Sequence, residues 1–354
     1  MHTTVKKSPL KRLMNVVLES RDADFWLQKV NPLWSVEVPL AKIVAKDSIA
    51  HETVSLTLKV NSHFQMGQAG QHHPVYVTVQ GIRYERSYSL SKIDDQHVLL
   101  TLKKVPGGKV STWLVEQAQV GDIVELGQPF GEMTLPKTTA PLVLLAAGSG
   151  ITPMYSLLQE LIQSQQITDQ AVTLMYWVKT QADAAFLTQL QTWAKQYNNF
   201  KFELFCTQDL PQAARLDQSH VALVEQLEQA VVYACGPSGF AQRAEQLFAH
   251  AQEIKTEAFS MTLQDTADTG FVQITLTQSK QVLSIAKGQS ILVSLEQQNI
   301  KPKHGCRMGI CNKCACHKVE GHTQNIVNGQ QNAEPGNLLK ICVNSAQSDL
   351  VIDL

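Results

Sequence analysis

Distinct patterns of apolar and polar positions follow one another along the chain. From Val36 to about Lys137 the apolar residues come in short runs: Thr53 to Val60 alternates, Pro74 to Val79 is rich in β-formers, and His97 to Lys104 alternates again. Glycine and proline punctuate these runs, so residues 36–138 are expected to form a small antiparallel β-barrel. Pro141 to Ala147 is a continuous apolar strand that runs through Gly148-Ser149-Gly150 into an amphipathic stretch, Pro153 to Leu161. Leu174 to Val178 and Val231 to Ala234 are further apolar strands separated by helical patterns, which predicts an α/β domain with a parallel sheet over residues 139–260. Ser260 to Gly270 is mostly polar and aperiodic, so residues 261–271 read as a linker. Residues 272–354 open on an alternating strand, Val272 to Thr277, and close on another, Leu350 to Leu354. Residues 1–35 form an N-terminal extension of mixed character, with the aromatic-rich Phe25-Trp26-Leu27 and the segment Asn31-Pro32-Leu33-Trp34-Ser35.

A length of 354 residues exceeds what one hydrophobic core usually organises, in keeping with several domains. The composition, 44% hydrophobic and 17% charged, is that of a globular protein, and a formal net charge of -1 leaves no basic footprint for nucleic acid. Apolar runs such as Leu142 to Ala147 are far shorter than the roughly 20 residues that span a bilayer. Lys6, Lys7, Lys11 and Arg12 precede Leu13 to Leu18, but Asn15 interrupts that run and no small-residue cleavage site follows, so no secretory signal is expected. Of seven cysteines, five fall between Cys306 and Cys342, which points to metal chemistry in a reducing compartment, the cytoplasm.

Cys306, Cys311 and Cys314 stand in the spacing C-x4-C-x2-C, with Cys342 at a distance that suits a fourth ligand; this is the plant-type [2Fe-2S] spacing. Two irons sharing two sulfides need four converging thiolates, and Gly305 and Gly309 let backbone N–H groups approach the sulfurs. A four-cysteine zinc site is the alternative, though it more often presents two C-x2-C pairs. Cys316 reads as a buried thiol on an emerging strand rather than a fifth ligand. The run His304-Gly305-Cys306-Arg307-Met308-Gly309-Ile310-Cys311-Asn312-Lys313-Cys314 resembles the cluster loop of plant-type ferredoxins. That resemblance implies an α+β β-grasp fold, with Cys306 and Cys311 on one iron and Cys314 and Cys342 on the other.

Arg86-Ser87-Tyr88-Ser89-Leu90-Ser91, at the end of a candidate barrel strand, and Gly107-Gly108-Lys109-Val110-Ser111 after the next are similar to the two flavin signatures of the ferredoxin-NADP reductase superfamily. An arginine offers a bidentate fork to phosphate, a tyrosine a flat surface and a hydroxyl, and serines can reach ring or ribityl oxygens. The resemblance assigns Arg86 to the pyrophosphate, Tyr88 to the isoalloxazine and ribityl chain, and Ser89 to the ring near its reactive nitrogen. A second phosphate needs its own backbone cradle, which Gly107 to Ser111 before the helix-like Thr112 to Gln117 supplies; FAD is therefore favoured over FMN.

Gly148-Ser149-Gly150-Ile151-Thr152-Pro153 joins a buried strand to a helix and can cradle a nucleotide pyrophosphate through Gly148, Ser149, Gly150 and Thr152. Relatives usually have glycine where Ala147 stands. Cys235-Gly236-Pro237 closes a strand at the end where α/β sheets bind ligands, and in the superfamily it borders the nicotinamide; Cys235 is a candidate for positioning the ring, not a nucleophile. Lys179, beyond the strand Leu174 to Val178, suits a 2′-phosphate, which favours NADPH over NADH; Arg215 is a further candidate contact but reads more readily as a solvated surface arginine. Glu257 and Phe259 match a segment that approaches the flavin in relatives.

In order, flavin barrel, nucleotide sheet and ferredoxin resemble the reductase components that serve oxygenases and desaturases. The resemblance implies electron flow from NADPH through FAD and a [2Fe-2S] centre to a protein acceptor. The extension resembles the leader of bacterial reductases that feed membrane-bound di-iron fatty acyl desaturases, and its basic and apolar residues suit peripheral contact with an anionic membrane. A fatty acyl-CoA desaturase is thus the expected acceptor. The competing readings are a Rieske-type or other oxygenase partner, a self-contained diaphorase, and a non-enzymatic redox sensor or zinc-stabilised binding module.

Overall fold

The computed structural model describes residues 20–208, 215–260, 270–327 and 329–354. The basic run from Lys6 to Leu18 and most of the expected linker lie outside them. The described chain enters through helix α1 (Ser20–Val30), a helix within the segment whose polar composition reads as mixed character. Asp24 fastens the turn that follows, accepting from the Ser35 hydroxyl at 2.9 Å and the Val36 N–H at 2.6 Å. Asn61 and His63 of the barrel then bond the Leu33 and Ser35 carbonyls at 3.1 and 2.9 Å.

Six strands, β1 (Leu40–Ala50), β2 (Thr53–Val60), β3 (His72–Val79), β4 (Ile82–Lys92), β5 (His97–Lys103) and β6 (Ile123–Leu126), close into a barrel in the order β1-β2-β5-β4-β3-β6. Alternation drives the closure: Leu56 and Leu58 of β2 and Leu100 and Leu102 of β5 point inward onto Ile43, Val75 and Leu90. The Arg86 to Ser91 motif occupies the C-terminal half of β4, pairing with β3 as far as Ser89 and with β5 from Leu90. Arg86 faces Val75, Tyr88 faces His73 and Ser89 faces His72.

Strands β7 (Leu142–Ala147), β8 (Val172–Val178), β9 (Phe200–Cys206), β10 (Val231–Pro237) and β11 (Glu253–Ser260) form a parallel sheet in the order β11-β10-β7-β8-β9. Its central strands β7, β8 and β10 are largely apolar because both faces are covered, whereas the edge strands β9 and β11 carry Lys201, Glu203, Glu253 and Lys255. Leu142 and Leu144 pack with Met154 and Leu157 of α2 (Ile151–Gln163) and Leu190 of α3 (Leu187–Gln196). On the opposite face Val143 and Leu145 pack with Ala244 of α4 (Ser238–Leu247) and with Phe248. Beyond residue 269, β12 (Phe271–Leu276), β13 (Gln281–Ala286), β14 (Ala315–Glu320), β17 (Leu338–Lys340) and β19 (Leu350–Asp353) form a mixed sheet in the order β13-β12-β19-β14-β17. Helix α5 (Ile291–Gln297) packs Ile291 and Leu295 against Ile274 and Ile352 of that sheet. The small sheet β15 (Thr323–Asn325), β16 (Gln331–Asn332) and β18 (Asn344–Ala346) completes the β-grasp. Cys316 lies in β14 with 7% exposure, packed in the core. Among the described residues no helix is long and apolar enough to cross a membrane.

Leu144 has no exposed surface and sits between the sheet and α2. Leu144→Ala should cost about 2–5 kcal/mol in the unfolding transition of the nucleotide domain, followed by denaturant titration. A loss below about 1 kcal/mol would contradict this packing.

Candidate functional site

The barrel, the parallel sheet and the C-terminal domain meet around a cavity of about 410 Å³. β4 contributes Arg86, Ser87, Tyr88 and Ser89, and the turn after β5 contributes Gly107, Gly108 and Ser111. Ser149, Thr152 and Phe259 close it from the sheet, and Cys306, Arg307 and Met308 from the C-terminal domain. The short helix after the glycines begins at Lys109, earlier than the expected Thr112, and continues as a wider turn over Trp113–Gln117. The Ser111 hydroxyl accepts the Val105 N–H at 3.1 Å and tightens that turn, while Gly107 takes the left-handed φ of +71° that it needs. Lys109 and Val110 do not line the cavity. Val110 packs its side chain into the barrel core, so it can offer a ligand only its backbone N–H.

The Ser87 and Ser89 hydroxyls are buried on the cavity wall and have no hydrogen-bond partner in the protein. Buried hydroxyls are normally satisfied, so this wall fits a ligand that brings polar atoms, as a flavin with its ribityl chain does. Arg86 holds one guanidinium nitrogen 2.7 Å from the Glu85 carbonyl. Its pKa is lowered by burial and by the Arg307 guanidinium nearby, the condition of two cations placed to share an anion. Burial pushes the Tyr88 phenol up, so it stays neutral and serves as a surface and a donor.

A second cavity, of about 780 Å³, opens at the ends of β7, β8 and β10, with Gly148, Lys179 and Pro237 in its wall. Gly148 has a φ of +55°, and α2 follows at Ile151 without a side-chain cap, leaving its first N–H groups to an anion. A Cβ on Gly150 would lie 1.9 Å from the Cys235 carbonyl oxygen, so only glycine lets this turn touch β10. Ala147 is accommodated because Gly236 faces it; a Cβ on Gly236 would lie 2.8 Å from that of Ala147. Lys179 is joined in the wall by Arg215 and by Arg243, a cation that an ordinary helical sequence did not single out. Asp183 also lines this cavity, but Lys103 holds it at 2.6 Å.

A buried titratable cluster lies against the first cavity, where His72 and Phe259 form part of the wall. Cys235 pairs with Glu257 across β10 and β11, and Glu257 Oε2 lies 3.5 Å from Nε2 of His72. Phe259 sets its ring edge-on to His72 at 5.4 Å between centroids. Burial, with Glu132 adding like charge, raises Glu257 to about 7. Burial and the charge of His73 lower His72 to about 4. Burial and the Glu257 carboxylate hold the Cys235 thiol well above its usual range, so it remains protonated. His72 was not legible as a site residue, because only the fold brings it against Glu257, 185 positions later in a chain of 354 residues.

The four cysteines, three in the loop and Cys342 after β17, come in two pairs. Cys314 Sγ and Cys342 Sγ lie 3.1 Å apart, while the N–H groups of Cys306 and Cys311 each point at the other's sulfur, at 3.2 and 3.4 Å. Among the described residues no three potential ligands converge on one point. Two pairs of thiols suit two irons better than a single tetrahedral zinc ion. Met308 N–H adds a donor to Cys306 Sγ at 3.3 Å, of the kind that cluster sulfurs use.

The oxidoreductase FAD-binding domain family matches residues 40–135, the oxidoreductase NAD-binding domain family residues 144–246, and the 2Fe-2S iron-sulfur cluster binding domain family residues 274–345. An NADPH oxidoreductase of Mycobacterium tuberculosis is 31% identical over 94% of this chain and 88% of its own. The chain belongs to the ferredoxin-NADP reductase superfamily. An NADH oxidoreductase of Escherichia coli is 27% identical over 67% of the reductase and 73% of its own length. The fold is that of phthalate dioxygenase reductase, at a TM-score of 0.64 and 24% identity over 89% of this chain and 97% of that one. The reductase is thus an NAD(P)H oxidoreductase that uses FAD and a [2Fe-2S] cluster. FAD supplies the exchange between a hydride's two electrons and the single electrons the cluster takes.

The buried pair titrates with opposite signs. Glu257, raised to about 7, keeps a proton that the unfolded chain releases near 4.5, so its contribution to stability is lost as pH rises through that interval. His72, lowered to about 4 from 6.5, costs stability as pH falls through its own interval. Glu257→Gln should therefore be more stable than the wild type by a margin that grows from pH 5 to pH 8, reaching at most roughly 3 kcal/mol. Thermal unfolding of both across that range checks this, and a margin independent of pH would refute the assignment.

Proposed function

We propose that the reductase carries electrons from NADPH through FAD and its [2Fe-2S] centre to a membrane-bound di-iron fatty acyl-CoA desaturase. In this reading Arg86, Ser87, Tyr88 and Ser89 hold the flavin, and Gly107 to Ser111 with Gly148 to Thr152 present backbone N–H groups to phosphates. Cys235, Gly236 and Pro237 position the nicotinamide, Phe259 approaches the flavin, Lys179 takes the 2′-phosphate, and Cys306, Cys311, Cys314 and Cys342 carry the cluster. Protonated Cys235 packs against the ring rather than attacking it, and His72 and Glu257 keep water from that end of the cavity.

The observation that carries the partner reading is the aromatic face of the extension. Phe25, Trp26, Val30 and Trp34 are 56%, 68%, 73% and 50% exposed, so they do not simply pack on the barrel. Large exposed aromatics grouped on one short segment mark a docking surface, and tryptophan is prominent in the energetic centres of such surfaces. A hydrophobic partner at the cytoplasmic face of a membrane fits this surface. NADPH is favoured because Lys179, Arg215 and Arg243 share one wall while Asp183 is engaged by Lys103, and the M. tuberculosis relative carries NADPH in its name.

Replacing Phe25 and Trp26 together by serine should leave NADPH-ferricyanide turnover unchanged and slow desaturation in reconstituted membranes about tenfold or more. Unchanged desaturation, or electron transfer from the intact reductase to an oxygenase component but to no desaturase, would overturn the partner. Cys311→Ser should abolish reduction of any protein acceptor while ferricyanide is still reduced from the flavin. Lys179→Glu should raise KM for NADPH and spare kcat, since a contact remote from the hydride contributes mostly uniform binding. Equal wild-type efficiency with NADH would sink the NADPH assignment.

A further inference from the structure

The cavity that fits the flavin is not built by the flavin and nucleotide domains alone. The cluster loop of the C-terminal domain reaches into it with Arg307 and Met308, across a seam set by β3 and β4 of the barrel. At that seam Lys313 Nζ lies 2.6 Å from Glu85 and 3.1 Å from the Tyr76 hydroxyl. A Cβ on Gly305 would lie 2.6 Å from Glu85 Oε1, so the loop backbone lies against that side chain. Arg307 itself has a left-handed φ of +59°, a conformation that a long side chain adopts only when its surroundings hold it there.

What holds it is a fixed set of partners on one edge of the guanidinium. Nη1 donates to Glu296 at 2.9 Å, and Nη2 donates to the same carboxylate and lies 2.8 Å from His304 Nε2. Nε is buried and has no partner in the protein. A guanidinium anchored on one side, with a free buried N–H on the other, is an incomplete fork. Arg86 stands on the same cavity wall, with the unpartnered Ser87 hydroxyl beside it in sequence. Two guanidiniums facing one cavity repel each other unless an anion lies between them. The acids nearest this seam, Glu85 and Glu296, are engaged by Lys313 and Arg307.

We propose that Arg307 of the ferredoxin domain completes the FAD diphosphate site together with Arg86. FAD then bridges the seam, and by linkage its binding and the docking of the ferredoxin domain stabilise each other. Electron transfer to the cluster is thereby reserved for molecules in which the flavin is in place. The proposal rests on FAD as the cofactor and is independent of which protein accepts the electrons.

The test uses the full chain, stripped of flavin with its cluster retained, titrated separately with FAD and with riboflavin, which has the ring and ribityl chain but no phosphate. Arg307→Gln should bind FAD about tenfold more weakly, with riboflavin affinity and the visible spectrum of the cluster unchanged. An unchanged ratio of FAD to riboflavin affinity would overturn the proposal. Should the variant fail to assemble its cluster, hydrogen exchange in the wild-type chain decides instead. Saturating FAD should protect the amides of residues 304–308 and saturating riboflavin should not, whereas equal protection by the two would overturn the proposal.

Discussion

Single-electron transfer between two centres needs them close and held, and in this reductase the hold is the contact between Gly305 and Glu85. A Cβ at Gly305 would meet the Glu85 carboxylate, so glycine lets the cluster loop lie against that side chain while Cys306 lines the cavity it shares with Arg86 and Tyr88. The ion pair of Lys313 with Glu85 is partly exposed and by itself contributes little to stability. Its value is geometric, because it fixes which face of the ferredoxin domain meets the barrel. Ser87, Ser89 and Tyr88 line one side of the shared cavity, and Cys306 and Arg307 the other.

The second constraint is the dryness of the region behind His72, which lines the first cavity. Cys235 and His72 are buried and Glu257 nearly so, and desolvation holds each toward its neutral form. That part of the cavity wall therefore carries no fixed charge. Gly150 makes this arrangement possible by letting the phosphate turn lie directly on the Cys235 backbone.

The fold was legible where burial is two-sided or strictly alternating. Leu142 to Ala147 and Thr53 to Val60 announce themselves in that way, and the cysteine spacing named its chemistry without help from the fold. Strand β1 was less legible because bulges between Ile43 and Ala45 and between Ser48 and Ala50 break its alternation. Helix α1 was missed because Asp22 and Asp24 dilute its apolar face. Residues whose role depends on assembly stayed hidden: His72 opens a strand as one of two histidines before a proline, and Arg307 reads simply as part of a cluster loop. Their partners, Glu257 and Arg86, are far away in sequence and close only after three domains have docked.

The central claim is that flavin and cluster exchange electrons within one molecule across this seam. It is tested most directly by mixing the oxidised holoprotein anaerobically with NADPH in a stopped-flow spectrometer and following flavin and cluster absorbance together. Flavin reduction should come first, and cluster bleaching should follow with a rate constant that does not change with protein concentration. A cluster that stays oxidised while the flavin is reduced, or one whose reduction rate rises in proportion to protein concentration, would contradict the account.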